Sequence, residues 1–306
     1  MGTPEFAVAS LDAILQAGFP VVGVITAPDK PAGRGMQLTS SAVKKYALEK
    51  GLHIMQPEKL KNPDFLAELK ALQAHLQIVV AFRMLPELVW NMPPMGTVNL
   101  HGSLLPQYRG AAPINWAVIN GEHQTGVTTF KLQHDIDTGN ILLQDSFPIG
   151  EKDTAGDVHD RMKEIGARLL VKTIEGLAAG TLEEKPQQQF LDSPDDSTPP
   201  LKHAPKIFTD TCRIDWTQST DTIYNLIRGL SPFPTAFTTL DGKMLKIFHA
   251  EKEYGQHTPA ATPGEPRTDK KSYLRFATAD GFIRVTEIQL EGKKKMLIED
   301  FLRGYK

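Results

Sequence analysis

The 306-residue chain contains one cysteine, Cys212, so an internal disulfide and a cysteine-based zinc cluster are both excluded, and a structural thiol is expected there. No uninterrupted run of about 18 apolar residues exists to span a membrane, and the first residues lack the basic, apolar and small-residue sections of a signal peptide. The expected compartment is therefore the cytoplasm, with no membrane partner. A large charge imbalance is missing too: the formal net charge is -2. Only the carboxy-terminal part leans basic, with 17 Lys and Arg against 13 Asp and Glu over residues 201–306. That asymmetry suits a module facing a polyanion, and a solvated surface accounts for it equally well. The usual nucleotide and zinc signatures are absent as well. No Gly-x-Gly-x-x-Gly follows a strand, no Gly-Lys-Thr loop stands ready for phosphates, and there is no His-Glu-x-x-His.

What is present is an alternation of helical and strand patterns. A helical face over Pro4 to Ala17 is followed by the strand pattern Pro20 to Thr26; helices are expected from Ser41 to Lys50 and from Pro63 to Leu72. Further strand patterns lie at His53 to Met55, Leu76 to Phe82 and Gly96 to His101. This predicts an α/β fold with a doubly wound, mostly parallel sheet over residues 1–180, whose ligand site lies beyond the carboxyl ends of the strands. A long helix ends near Ala179. The composition of residues 181–205, rich in Gln, Asp and Pro, then reads as a linker. Short strands with Gly and Asp turns over 206–306 predict a small OB-like β-barrel.

The most informative window is Thr97 to Pro113. Asn99 and His101 lie two apart on a strand and share one face, and Gly102 ends that strand where a parallel sheet opens to its ligand. An amide and an imidazole side by side can donate hydrogen bonds to an oxygen that becomes negative, and the imidazole can also move a proton. Ser103, Leu104, Leu105 and Pro106 offer a hydroxyl, two apolar surfaces and a rigid turn, a combination suited to a flat heteroaromatic ligand. Asp137, in Asp135-Ile136-Asp137-Thr138-Gly139, sits on a loop between two strand-like stretches, from which a carboxylate can reach an imidazole and fix its tautomer. By spacing alone, Asp135 and Asp137 read equally well as turn formers.

Asn-x-His followed by Gly-Ser-Leu-Leu-Pro, with a later Asp-Thr-Gly, resembles the active-site signature of the formyltransferases that use 10-formyltetrahydrofolate. Further stretches are similar to the members of that family whose acceptor is the methionine of an initiator tRNA. These are Gly2 to Ala7, Ala27 to Gly35, Tyr108 to Ile114, Arg213 to Trp216 and Ile227 to Pro234. The resemblance covers nearly the whole chain. It implies a Rossmann-like formyltransferase domain and a tRNA-binding second domain, with 10-formyltetrahydrofolate and methionyl-tRNA as co-substrates, no metal, and a monomer. Carried over residue by residue, it implies that Asn99, His101 and Asp137 are catalytic, that Ser103, Leu104, Leu105 and Pro106 contact the folate, and that Arg34 contacts the tRNA acceptor stem. It also implies an apolar strand ahead of Gly2, so roughly six to ten mostly apolar residues are expected upstream in frame. Two other readings share parts of the pattern. A transferase acting on a UDP-aminosugar would share the Asn-x-His motif but would have no use for the Arg34 loop, and a non-catalytic RNA-binding protein would leave Asn99, His101 and Asp137 unexplained.

Overall fold

The structure, a computed structural model, describes residues 1–32, 37–190, 200–254 and 261–305. Arg34 lies outside them. The chain divides into two compact units, one of Met1–Arg109, Gly126–Phe147 and His159–Lys202, the other of Gly110–Thr125, Pro148–Val158 and His203–Lys306.

The first unit opens with α1 (Glu5–Gln16), which buries Phe6, Ala7, Ser10 and Ile14. There follow β1 (Val24–Ile25), β2 (Lys30–Ala32), β3 (Gln37–Thr39), α2 (Ala42–Glu49), β4 (Ile54–Met55), α3 (Pro63–Ala71), β5 (Gln77–Val80), α4 (Glu87–Trp90) and β6 (Thr97–His101). The starts of the helices are written in the sequence. Ser41 caps α2 by accepting a hydrogen bond from the Lys44 N–H at 3.0 Å, and Asn62 caps α3 with Pro63 in the first turn, where its missing N–H costs nothing. After α5 (Pro113–Ile119) come β7 (Gln124–Lys131), β8 (Ile141–Pro148) and α6 (Ala155–Ala179).

Strands β5, β6, β7 and β8 neighbour one another in that order. β5 and β6 are parallel, with Val79 opposite Asn99, whereas β7 runs antiparallel to β6, with Thr128 opposite His101. β1 pairs with β4 in parallel. The sheet is therefore mixed: parallelism holds through β6 and is lost at β7. A parallel continuation needs a crossover packed back on the sheet, and α5, the helix in the β6–β7 connection, belongs to the second unit. The expectation of a mostly parallel sheet thus fails from β7 on, since the short connection over 132–140 to β8 also leaves no room for a parallel crossover.

Between β1 and β5 the sheet is joined by two residues. The Gly2 N–H donates to the Ile25 carbonyl (3.0 Å), Val80 N–H donates to the Met1 carbonyl (3.0 Å), and Gly2 bridges Val80 in parallel. Beside them runs an open, largely apolar cavity of about 630 Å³, lined among others by Ala7, Ile14, Gly23, Val24, Leu69 and Leu76. Roughly six to ten apolar residues added ahead of Met1 are expected to fill the cavity and to raise Tm. Thermal melts of both chains check this, and an equal Tm would contradict it.

The second unit is built on an antiparallel sheet. After α7 (Thr220–Leu230) come β9 (Ala236–Leu240), β10 (Lys243–Glu253), β11 (Pro266–Thr268), β12 (Leu274–Ala277), β13 (Phe282–Leu290), β14 (Met296–Leu297) and α8 (Ile298–Leu302). The order is β9-β10-β13-β12-β11, with β14 on β13. Register shifts at Ile247 to Ala250 bend β10 and curl the sheet. Among the described residues, no pairing closes it into a barrel. Ile223, Ile227 and Leu230 of α7 share a core with Leu245, Ile247 and Ile283, each such side chain contributing about 1.5–3 kcal/mol by burial. Cys212 is buried near this core; its thiol donates to the Phe208 carbonyl at 3.4 Å, and burial pushes its pKa up.

Candidate active site

β6 delivers Asn99 and His101 to one face at its carboxyl end. The His101 ring is buried and lies between two acceptors. Its Nε2 is 2.9 Å from the Tyr108 carbonyl oxygen, and since a carbonyl only accepts, Nε2 carries a proton. Nδ1 faces the Asp137 carboxylate at 3.8 Å. Phe130, opposite Asn99 in the β6–β7 register, meets the imidazole edge to face at 6.4 Å between ring centres. Among the described residues nothing hydrogen-bonds the half-buried Asn99 carboxamide, so its N–H groups remain available to a ligand.

Backbone geometry shows how much of the neighbourhood is built around this ring. Tyr108 and Asp137, which supply the two groups flanking His101, both hold positive φ, 60° and 55°. Such left-handed backbone costs a residue with a side chain about 1–3 kcal/mol and persists only where surroundings enforce it. Tyr108 is fixed by its N–H donating to the Lys202 carbonyl at 2.7 Å. The Asp137 loop is fixed partly by Gly139, where a Cβ would lie 1.6 Å from the Lys131 carbonyl oxygen, a clash no side chain can relieve. Asp135 differs from Asp137: it is exposed, and its carbonyl accepts from the Thr138 hydroxyl. The structure thus brings Asn99, His101 and Asp137 together and leaves Asp135 as a turn former.

The Ser103 to Pro106 turn leads away from the same strand end. Thr128, paired with His101 across the sheet, donates to the Ser103 carbonyl (2.7 Å) and accepts from the Leu105 N–H (3.1 Å). Gln144 donates to both the Leu105 carbonyl and the Thr128 hydroxyl. The Ser103 hydroxyl is spent inside the turn, donating to the Gln107 carbonyl at 2.7 Å. Leu105 packs with Phe130 and Ile141 and Pro106 is buried, which leaves Leu104 as the half-buried side chain of the four. Thr128 and Gln144 escaped sequence reading because their role depends on cross-strand register, which no local motif encodes.

Around the expected tRNA contact, β2 and β3 pair in antiparallel register, Lys30 with Thr39 and Ala32 with Gln37. The stem is tied down: the Lys44 ammonium donates to Asp29 at 2.5 Å and the Gln56 amide to Asp29 and the Ala27 carbonyl. These bonds hold the Asp29 carboxyl below its usual range. Lys44 is therefore engaged by an acid rather than free for a phosphate.

Residues 1–174 match the formyl transferase family and residues 206–306 the formyl transferase carboxy-terminal domain, so the chain belongs to the formyl transferase family. Within it, the similarity is to methionyl-tRNA formyltransferases. That of Parabacteroides distasonis is 56% identical over 312 positions and that of Bacteroides fragilis 50% identical over 310, each alignment covering all of this chain and 94% of the relative. Among solved structures, WlaRD, a sugar 3N-formyl transferase, has a TM-score of 0.67 at 21% identity, covering 96% of this chain and 97% of its own, a likeness of fold.

Proposed function

We propose that the protein transfers the formyl group of 10-formyltetrahydrofolate to the free amino group of methionyl-tRNA, giving N-formylmethionyl-tRNA for translation initiation. The observation that carries this reading is His101 held between the Tyr108 carbonyl and Asp137, beside an Asn99 amide that has no partner among the described residues, at the end of β6. The full-length similarity to methionyl-tRNA formyltransferases supports the acceptor.

In this reading Asn99 donates a hydrogen bond to the formyl oxygen as negative charge gathers there during attack by the neutral amine, and His101, whose Nε2–H is spent on the Tyr108 carbonyl, acts there through Nδ1, which at 3.8 Å from Asp137 is not hydrogen-bonded to it. Asp137 faces Nδ1 and holds the imidazole in orientation. His101, or a water it orders, carries the proton that the attacking amine loses to the departing nitrogen. The folate supplies an activated formyl carbon. Its ring is assigned to the Ser103 to Pro106 turn, with Leu104 giving the apolar contact and the backbone the polar ones, since the Ser103 hydroxyl is engaged. The second unit's curled sheet enters as an OB-like surface for tRNA, and the protein acts in the cytoplasm as a monomer.

Arg34 tests the acceptor. As an acceptor-stem contact, its replacement by alanine should lower kcat/KM for methionyl-tRNA by the roughly 1–3 kcal/mol of a lost specific contact, about 5- to 150-fold. The loss of one phosphate partner should also make the dependence on salt shallower by about one unit of logarithmic slope. Equal rates and slopes for Arg34→Ala and wild type would remove the loop from the tRNA site.

A further inference from the structure

Composition assigns Gln187 to a linker, yet its side chain is buried and spends every group it has. The amide nitrogen donates to the carbonyls of Asp137 (2.8 Å) and Gly139 (2.9 Å), while the oxygen accepts from Arg109 Nε (3.0 Å) and Nη2 (2.6 Å). Arg109 directly follows Tyr108, whose carbonyl holds His101 Nε2, and Asp137 faces His101 Nδ1. Gln187 therefore closes a ring that runs His101, Tyr108–Arg109, Gln187, Asp137 and back to the imidazole. Both jaws that grip the ring are tied to one amide.

Neighbouring residues brace the same loop. Glu184 accepts from Lys131 (2.6 Å) and from Asn140 (3.2 Å), and Lys185 exchanges two backbone hydrogen bonds with Ile141. These contacts fix the loop's two ends at Lys131 and Asn140–Ile141. Gln187 reaches its middle, donating to the carbonyl of Asp137, which sits in left-handed backbone.

We propose that Gln187 is a positioning residue for the formyl transfer, setting the Asp137 carboxylate and the Tyr108 carbonyl against His101 together. The proposal rests on the catalytic reading of Asn99, His101 and Asp137. Glutamine suits the task because its carboxamide offers two N–H donors and an acceptor in one plane. Glutamate at this position keeps the shape and the Arg109 contact but presents a carboxylate to two carbonyl oxygens and drives the loop away.

The test is a double-mutant cycle with Gln187→Glu, Gln187→Ala and Asp137→Asn, with the exposed Gln189→Ala as control. Gln187→Glu should lower kcat 10- to 100-fold with KM for both substrates within twofold. On the Asp137→Asn background it should cost less than a further twofold, because the group it positions is already impaired. The same His101 imidazole nitrogen resonances should move in Gln187→Glu and in Asp137→Asn, while Gln189→Ala leaves them in place. A kcat within twofold of wild type overturns the proposal, as does an equal loss on both backgrounds, or a loss that tracks the folded fraction with the His101 resonances unmoved. If the wild-type protein transfers no formyl group, the function reading fails, and the His101 resonances still decide whether Gln187 sets the ring.

Discussion

Asn99→Ala and His101→Ala are each expected to lower kcat by about 10²–10³-fold, with the KM for methionyl-tRNA changed little. The size follows from what the groups do. A preorganised donor to an oxygen that gains charge only in the transition state contributes about 2.7–4 kcal/mol, and its removal appears in kcat rather than in ground-state binding. Asn99 meets the condition for preorganisation because it rides on β6, hydrogen-bonded between β5 and β7, while its own carboxamide has no partner among the described residues. His101 is fixed more tightly still, buried with an acceptor at Nε2 and a carboxylate facing Nδ1. Single-turnover rates with saturating substrates measure the chemical step. A loss confined to KM would mean that these side chains bind substrate rather than stabilise the transition state.

Asp137→Asn should be comparably damaging, and Asp135→Asn should remain within about twofold of wild type. The two aspartates lie two residues apart and read alike in sequence, but their surroundings differ. The Asp137 side chain is 13% exposed and points at the imidazole, whereas Asp135 faces solvent and serves the turn through its backbone. An asparagine at 137 still fits the space but loses the carboxylate that orients the ring, and its amide can present an N–H to Nδ1 in place of an acceptor. Equal losses at both positions would assign the effect to the loop's shape. A loss at 135 alone would overturn the assignment.

The site was legible where chemistry and local geometry coincide. Asn99 and His101 announced themselves because strand periodicity puts both on one face and Gly102 marks the strand end. Asp137 was legible as a carboxylate within reach of the imidazole, but only the resemblance of its Asp-Thr-Gly favoured it over a turn former. The framework that holds them stayed hidden for a physical reason: Tyr108, Thr128, Gln144 and Gln187 act through backbone carbonyls and cross-strand register, and hydrogen bonds to backbone leave no residue-type signature. Gln187 is the sharpest case. A polar, Gln- and Pro-rich stretch reads as a tether, but Glu184 to Gln187 are fastened to the first unit.

The fold behaved similarly. Helices α1 to α3 and strands β4, β5 and β6 lie within a few residues of their expected spans, since periodicity and caps specify them. Strand direction at β7 was not legible, because it depends on where α5 packs. The curl of the second sheet depends on a bulge at His249, which periodicity does not record.

The most direct test supplies the purified protein with 10-formyltetrahydrofolate labelled in the formyl carbon and, in parallel reactions, methionyl-tRNA or a UDP-aminosugar. The account predicts label on the methionine amine in a reaction slowed about 10²–10³-fold by His101→Ala, and none on the sugar. Label on the sugar with none on methionyl-tRNA would contradict it.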